Sequence, residues 1–324
     1  MIALKFQVFK SLDQLIKNPI STIVVGVSGG ADSMALTLLA KEYVNLKGGN
    51  LQAVTVDHQI RPESSEEALW VKQTLQCYGV EHQTLLWYHA NDLNRRHERA
   101  RTARYQLLVN FCKNYSNPVL LTAHHQQDQV ETILMRFLKG TGPAGFQGIQ
   151  AQRWHEGVQI VRPLLDVSPD QLRLYLKNMG ITWVEDPSNH DTFYERTRIR
   201  ALVEQISPKW GLTGILASAN KVYELQQNFE VLTAEYAESF VTNFEKLTIN
   251  QEAFFKCPKN VQQQWLRQQI WKIGMANYPK PIATIMAILK IIKQPQVNGY
   301  KVAGCIINVG KGLITFNKVD LQTT

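Results

Sequence analysis

The chain of 324 residues has only four cysteines, Cys77, Cys112, Cys257 and Cys305, with no Cys-x-x-Cys among them and no histidine pair at zinc spacing. A disulfide scaffold, a zinc knuckle and a cysteine-held iron–sulfur cluster therefore lack support. Long apolar runs are missing too. The most apolar late stretch, Ile282–Ile292, is interrupted by Lys290 and falls far short of the roughly 20 residues a bilayer span needs. The opening MIALKFQVFKSLDQLIKN places Lys5, Lys10 and Asp13 within a helical apolar period, unlike a signal peptide's unbroken core. No internal repeat or low-complexity tract occurs, and the glycine-rich turn at 26–33 is neither GxxxxGK(S/T) nor GxGxxG. A soluble, cytoplasmic protein with no membrane partner is expected. With 44% hydrophobic and 19% charged residues, it can bury one large core or two modest ones.

Acidic residues are scarce in one region. Residues 241–324 hold 11 Lys+Arg against 3 Asp+Glu, which accounts for the whole formal charge of +8 and leaves 24 of each sign in residues 1–240. A basic end on a neutral body predicts a polyanionic partner held there, and a merely solvated lysine-rich surface is the plainer alternative.

Short apolar runs alternate with helix-period segments through the first half. Ser21–Val27, Leu51–Val56 and Val119–Ala123 read as strands, whereas 33–43, 65–77 and 97–112 carry apolar residues three and four apart. The fold class expected is α/β, a doubly wound parallel sheet whose ligands bind beyond the carboxyl ends of its strands. Arg162–Leu165 then precedes a helix capped by Ser168-Pro169-Asp170 and stopped by Gly180. The character changes near Ser207-Pro208, and 212–240 is helix-prone with few breakers. Glycines and alternating apolar residues in 300–317 predict a hairpin. Expected domains are thus 1–210, a helical linker 211–240, and a smaller basic α/β domain 241–324.

The strongest local feature is Ser28-Gly29-Gly30-Ala31-Asp32-Ser33, where the first strand meets its helix. Glycines there let backbone N–H groups approach an anion, hydroxyls add donors, and the helix N-terminus adds positive partial charge. The motif suits a phosphate or pyrophosphate, although a plain capped turn has the same residues. Asp57-His58 follows the second strand, where the carboxylate can reach a ribose or form a turn. Arg101, Arg104 and Leu108 share a helix face, so two guanidiniums can point at phosphate oxygens or simply at solvent. His124-His125 follows the third strand, with Asp128 and Glu131 at i, i+3. That acidic pair can hold magnesium, orient an amine or complement the helix dipole. Asp186-Pro187-Ser188-Asn189 is turn chemistry, and Tyr194, Arg196, Arg198 and Arg200 follow in alternation.

SGGADS resembles the pyrophosphate loop of the N-type ATP pyrophosphatases. VDHQIR at 56–61, ARTARY at 100–105, AHHQQDQVET at 123–132 with GTG at 140–142, and DPSNHDTFYERTRIR at 186–200 narrow the resemblance to the tRNA(Ile)-lysidine synthetases. It covers about residues 22–205. It implies an adenine nucleotide alpha hydrolase-like sheet and ATP with Mg2+ as cofactors. It also implies ligation of lysine to C2 of the wobble cytidine of an isoleucine tRNA with a CAU anticodon. The partners implied are that tRNA and free L-lysine, with a homodimer left open and 241–324 as the tRNA-binding domain.

On that resemblance Asp32, Arg104, Asp128 and Glu131 are catalytic. Ser28, Gly29, Gly30, Ala31, Asp32, Ser33, Asp57, His58, Arg101 and His125 bind ATP, and Asp32 helps hold the metal. Asp128, Glu131, Arg196 and Arg200 meet lysine or tRNA, and Arg95 and Arg96 are candidates for tRNA backbone. Many members carry an acidic residue where this chain has Gln127, so the carboxylate role falls to Asp128. Longer members carry a further C-terminal domain, which this chain is expected to lack. A tRNA thiolase is the nearest rival and generally needs catalytic cysteines. A nucleotide-binding module without catalysis would have no use for the carboxylate and arginine motifs.

Overall fold

The computed structural model describes residues 1–17, 22–59, 63–88, 96–185, 195–274 and 280–319, and side chains within them other than those of Arg96, His97 and Glu98. Arg61, Arg95, the turn at 186–189 and Tyr194 lie outside the described residues. The chain divides into two compact units, Met1–Lys221 and Val222–Thr324.

In the first unit, β1 (Thr22–Gly26), β2 (Asn50–Asp57), β3 (Glu81–Leu86), β4 (Pro118–Leu121) and β6 (Val158–Val161) run parallel, and β5 (Gln152–His155) pairs antiparallel with β6. The order is β3-β2-β1-β4-β6-β5. Successive side chains serve opposite faces. Ile23 and Val25 pack with Leu12 of α1 (Ile2–Leu15), Met34 and Leu38 of α2 (Ala31–Lys47), Leu75 of α3 (Ser64–Cys77) and Tyr175 of α6 (Pro169–Asn178). Val24, Val54, Leu120 and Ile160 face Leu108, Val109 and Cys112 of α4 (Arg96–Cys112). Covered on both faces, the central strands read as continuous apolar runs. The expected doubly wound sheet is present, together with three strands the sequence did not signal. In β3, EHQTLL lies at the edge with its residues half-buried or exposed. The β5–β6 hairpin turns at Glu156 and Gly157, both at positive φ (49° and 81°), as a type I′ turn requires.

Strand order reverses between β1 and β4, so the loops after these two strands open the crevice where such sheets bind ligands. The loop after β4 leads into α5 (Gln126–Leu138), against which α7 (Glu195–Trp210) packs through Val130, Ile199 and Val203. Near Ser207-Pro208, where the sequence changes character, α7 continues to Trp210. Pro208 sits in the last turn, where it forgoes one N–H bond of the ladder, and the helix ends two residues later. Next, α8 (Thr213–Ala237) runs through the division between the units.

The second unit has an antiparallel sheet, order β7-β8-β11-β10-β9, from β7 (Val241–Asn243), β8 (Thr248–Asn250), β9 (Val297–Val302), β10 (Cys305–Gly310) and β11 (Leu313–Lys318). α9 (Gln251–Lys256), α10 (Lys259–Gly274) and α11 (Ile282–Ile292) complete it. Trp265, Leu266, Ile285 and Ile288 meet Ile307, Val309, Ile314 and Phe316 in its core. Where one hairpin was expected there are two, because Ala303-Gly304 and Lys311-Gly312 both supply paired positive φ.

Candidate active site

After β1, Gly29 takes φ +85°. A Cβ there would lie 3.0 Å from Val71 and 3.3 Å from Val184, so both the conformation and the space call for glycine. Val184 donates its N–H to the Gly29 carbonyl (3.0 Å) and holds the loop from above. The Ser33 hydroxyl donates to the Gly30 carbonyl (3.0 Å), accepts the Ser28 N–H (3.1 Å) and lies 3.2 Å from the Ser28 hydroxyl. These bonds fix the turn that opens α2 at Ala31 and aims the first N–H groups of the helix beyond the strand end. Asp32 lies in that first turn, and its Oδ1 is buried with no hydrogen-bond partner.

Across the crevice, His125 is the N-cap of α5. It forms a reciprocal capping box in which its Nδ1 accepts the Asp128 N–H (3.4 Å) and its own N–H donates to Asp128 Oδ2 (3.0 Å). With Nδ1 accepting, the network assigns the proton of the neutral ring to Nε2, 3.4 Å from Asp32 Oδ2 and 3.6 Å from Asp128 Oδ2. Burial disfavours the imidazolium, but the hydrogen bond to Asp32 and the charges of Asp128, Asp32 and Glu131 outweigh it, so the His125 pKa lies above its ordinary value. Burial likewise opposes ionisation of Asp128, and His125, Arg196 and His124 overcome it, holding that carboxyl below the usual range.

Arg196 and Arg200 stand at i, i+4 on α7 and point at α5. Arg196 Nε donates to Glu131 Oε2 (2.8 Å) and its Nη2 to Asp128 Oδ1, while Arg200 Nε donates to Glu131 Oε1 (2.9 Å). Glu131 is fully buried, with each carboxylate oxygen on a different guanidinium. The sequence suggested an exposed basic edge alternating with small residues. A helix puts Arg196 and Arg200 on one face and leaves Arg198 exposed.

Arg101 and Arg104 lie near Tyr105 on α4, with their Cζ atoms 5.5 and 5.8 Å from its ring centre. Arg153 of β5 lies closer, at 4.8 Å, and Arg162, directly after β6, is 4% exposed. The sequence reading assigned no role to Arg153 or Arg162. The one available signal for Arg162 was a charged residue closing an apolar strand before proline. Asp57, 2% exposed, accepts the Ser64 hydroxyl (2.7 Å) and the Gln59 N–H (2.8 Å) on Oδ1 and the Ser65 hydroxyl (2.7 Å) on Oδ2. The structure therefore gives it the turn-forming role, tying β2 to the start of α3. His58 stacks edge-on against Trp87, with ring centres 5.6 Å apart. The loop, Asp32, His125, Asp128, Glu131, Arg196 and Arg200 come together, and Asp57 is engaged by its own turn.

Residues 4–206 match the family profile described as a PP-loop domain. The chain is 35% identical over 265 residues to the tRNA(Ile)-lysidine synthase of Bradyrhizobium sp. strain BTAi1, covering 78% of this chain and 74% of the relative. To that of Bradyrhizobium diazoefficiens it is 33% identical over 293 residues, 87% of this chain and 81% of the relative. The chain belongs to the tRNA(Ile)-lysidine synthase family. To the synthase of Ruegeria pomeroyi it is 30% identical, covering 92% of this chain and 71% of the relative, so the likeness in that family extends past the PP-loop domain into the second unit. Among solved structures, the U34-tRNA thiolase NcsA of Methanococcus maripaludis shares the fold, with a TM-score of 0.58, 18% identity, and coverage of 69% of this chain and 79% of that one. As a PP-loop protein of this family, the chain has the site of an ATP-using enzyme.

Proposed function

We propose that the chain ligates lysine to C2 of the wobble cytidine of an isoleucine tRNA with a CAU anticodon. ATP adenylates the C2 oxygen with loss of pyrophosphate, and the lysine amine then displaces AMP. The observation that carries this reading is the contact of His125 with Asp32 across the switch crevice, which joins a phosphate loop to a buried carboxylate–arginine cluster. Ser28–Ser33 cradles the departing pyrophosphate with amides and hydroxyls. Asp32 Oδ1, a buried oxygen without a partner, fits a hard cation. Bound there, Mg2+ would neutralise charge on the phosphates as the α-phosphoryl group is transferred.

Asp128 and Glu131 are charge-balanced by Arg196 and Arg200. A lysine ammonium finds an anionic partner only as Arg196 swings from Asp128, and the released guanidinium is then free to meet tRNA. Neither of the two buried cysteines is an activated thiol. Cys112 is buried, which pushes its pKa up to about 12, the opposite of an activated nucleophile, and burial also raises that of Cys305.

The test is AMP release from ATP with tRNA present, with and without each free amino acid. AMP release should require tRNA, and only lysine should complete turnover. Asp32→Ala should lose AMP formation by more than about 100-fold, the order assigned to one preorganised electrostatic group, while remaining folded. Near-normal turnover by that variant, or turnover with no amino acid preference, refutes the reading.

A further inference from the structure

Four arginines from three elements gather at one tyrosine. Arg101 and Arg104 come from α4, Arg153 from β5 and Arg162 from the end of β6. The first three have their Cζ atoms within 4.8 to 5.8 Å of the Tyr105 ring centre. Arg162 is 4% exposed and Tyr105 7%. Arg162 Nη1 donates to the Gln150 carbonyl (2.7 Å), but its Nε, like that of Arg153, is buried without any hydrogen-bond partner. The Arg162 guanidinium lies near the Tyr105 hydroxyl without meeting hydrogen-bond geometry. Among the described residues, no carboxylate forms an ion pair with any of the four.

Such an assembly is incomplete as it stands. Burial disfavours the charge of Arg104 and Arg153, and the neighbouring guanidiniums repel them, which holds both below the ordinary arginine value. Burial opposes ionisation of Tyr105, yet the charges of Arg162, Arg101 and Arg104 outweigh it and lower that phenol too. A multiply accepting anion resolves every one of these features. Guanidiniums stacked on an aromatic face keep their N–H edges free for bidentate contact with phosphate.

We propose that Arg101, Arg104, Arg153 and Arg162 form a second phosphate-binding subsite, which takes a phosphodiester of the tRNA backbone beside the nucleotide being modified. The tRNA follows from the function proposed above. The phosphates of ATP already have the loop after β1. His125 contacts Asp32 of that loop, whereas the adjacent His124 feels the charges of Arg162, Arg101 and Arg104, so the arginine cluster belongs to the β6 side of the end of β4. Arg153 also stands on the edge strand of the sheet, within reach of a macromolecule.

The test uses the full-length Arg153→Gln variant, with tRNA affinity measured across a salt series and KM for ATP measured by AMP release. The variant should bind tRNA about tenfold more weakly, the scale of one lost charge-assisted contact. Its log–log salt slope should flatten by about 0.7 to 0.9, the loss of one phosphate contact, with KM for ATP within about twofold of the parent. Arg153→Lys should keep the slope while losing part of the affinity, and it carries the test should the glutamine variant fail to fold. Unaltered tRNA affinity and slope overturn the proposal. So does a rise of more than about threefold in KM for ATP, which would assign the cluster to the nucleotide. Parent protein that binds no tRNA overturns the proposed function and this subsite together, whereas binding by the parent that Arg153→Gln leaves intact overturns the subsite alone.

Discussion

Two charged clusters flank the end of β4, and they are built on opposite plans. Between α5 and α7, Asp128 and Glu131 meet Arg196 and Arg200 in a balanced network in which each carboxylate oxygen of Glu131 has its own guanidinium. Around Tyr105 four arginines meet with no described carboxylate partner. The neighbouring histidines record the difference. His125, beside the carboxylates, has a raised pKa. His124, lowered first by burial and then by Arg162, Arg101 and Arg104, stays neutral despite the opposing charge of Asp128. Arginine in sequence is one residue type, but a guanidinium with an internal partner orients an element, and one without a partner awaits a ligand.

The largest test of that contrast is Glu131→Gln. Removing one partner of a buried ion pair costs about 3–5 kcal/mol, and the lower end applies because the side chains of Arg196 and Arg200 keep 35% and 28% of their surface in solvent. Thermal unfolding should begin on the order of 10 °C earlier. Arg153→Gln, which relieves repulsion instead of creating it, should leave the melting temperature unchanged or higher. If both variants melt like the parent, the division into balanced and unbalanced clusters fails.

A smaller effect separates the two histidines. The proton on His125 stabilises the fold, and that contribution is complete below the ordinary histidine value of 6.5 and fades as pH rises through the higher folded value. His124 acts in reverse, because the unfolded chain takes up its proton first as pH falls below 6.5, and the fold weakens in that window. An NMR titration of the two imidazoles should find one midpoint above 6.5 and no titration of the other near it. In Glu131→Gln the His125 midpoint should move down, since one of its raising charges is gone. Two ordinary midpoints would show that the clusters do not act on their neighbours as described.

Much of this was legible beforehand, and what was missed has a common cause. The β-branched run of β1, the glycine loop and the Ser168-Pro169-Asp170 cap of α6 are local patterns, and local patterns announce themselves. The Arg196–Glu131 bond joins residues 65 apart, and Arg153 meets Tyr105 through the pairing of an edge hairpin, so neither has a sequence period to report it. Asp57 is the reverse case, for which the sequence left a ribose contact and a turn both open. Its place after a strand suited a ribose contact, but Ser64 and Ser65 seven and eight residues on already occupy it.

The charge count is the other point at which structure revises sequence. Residues 241–324 hold 11 basic and 3 acidic residues. The compact unit begins at Val222, however, and takes in Glu224, Glu230, Glu235 and Glu238 of α8, so its balance is 11 against 7 and that of the first unit 24 against 20. The two units are equally basic, and the uncompensated arginines described above lie in the first. Lys256 is further paired with Glu252 (2.7 Å), and Arg267 donates its Nε to the Lys280 carbonyl (3.0 Å). The smallest of the expected effects therefore belongs to the second unit. Lys290→Glu with Lys293→Glu, both exposed around the end of α11, should flatten the salt slope of tRNA binding by less than the roughly 0.7 to 0.9 expected of Arg153→Gln. KM for ATP should not change. A loss larger than that of Arg153→Gln would reverse the ranking, making the second unit the principal anchor for tRNA and the arginine cluster its accessory.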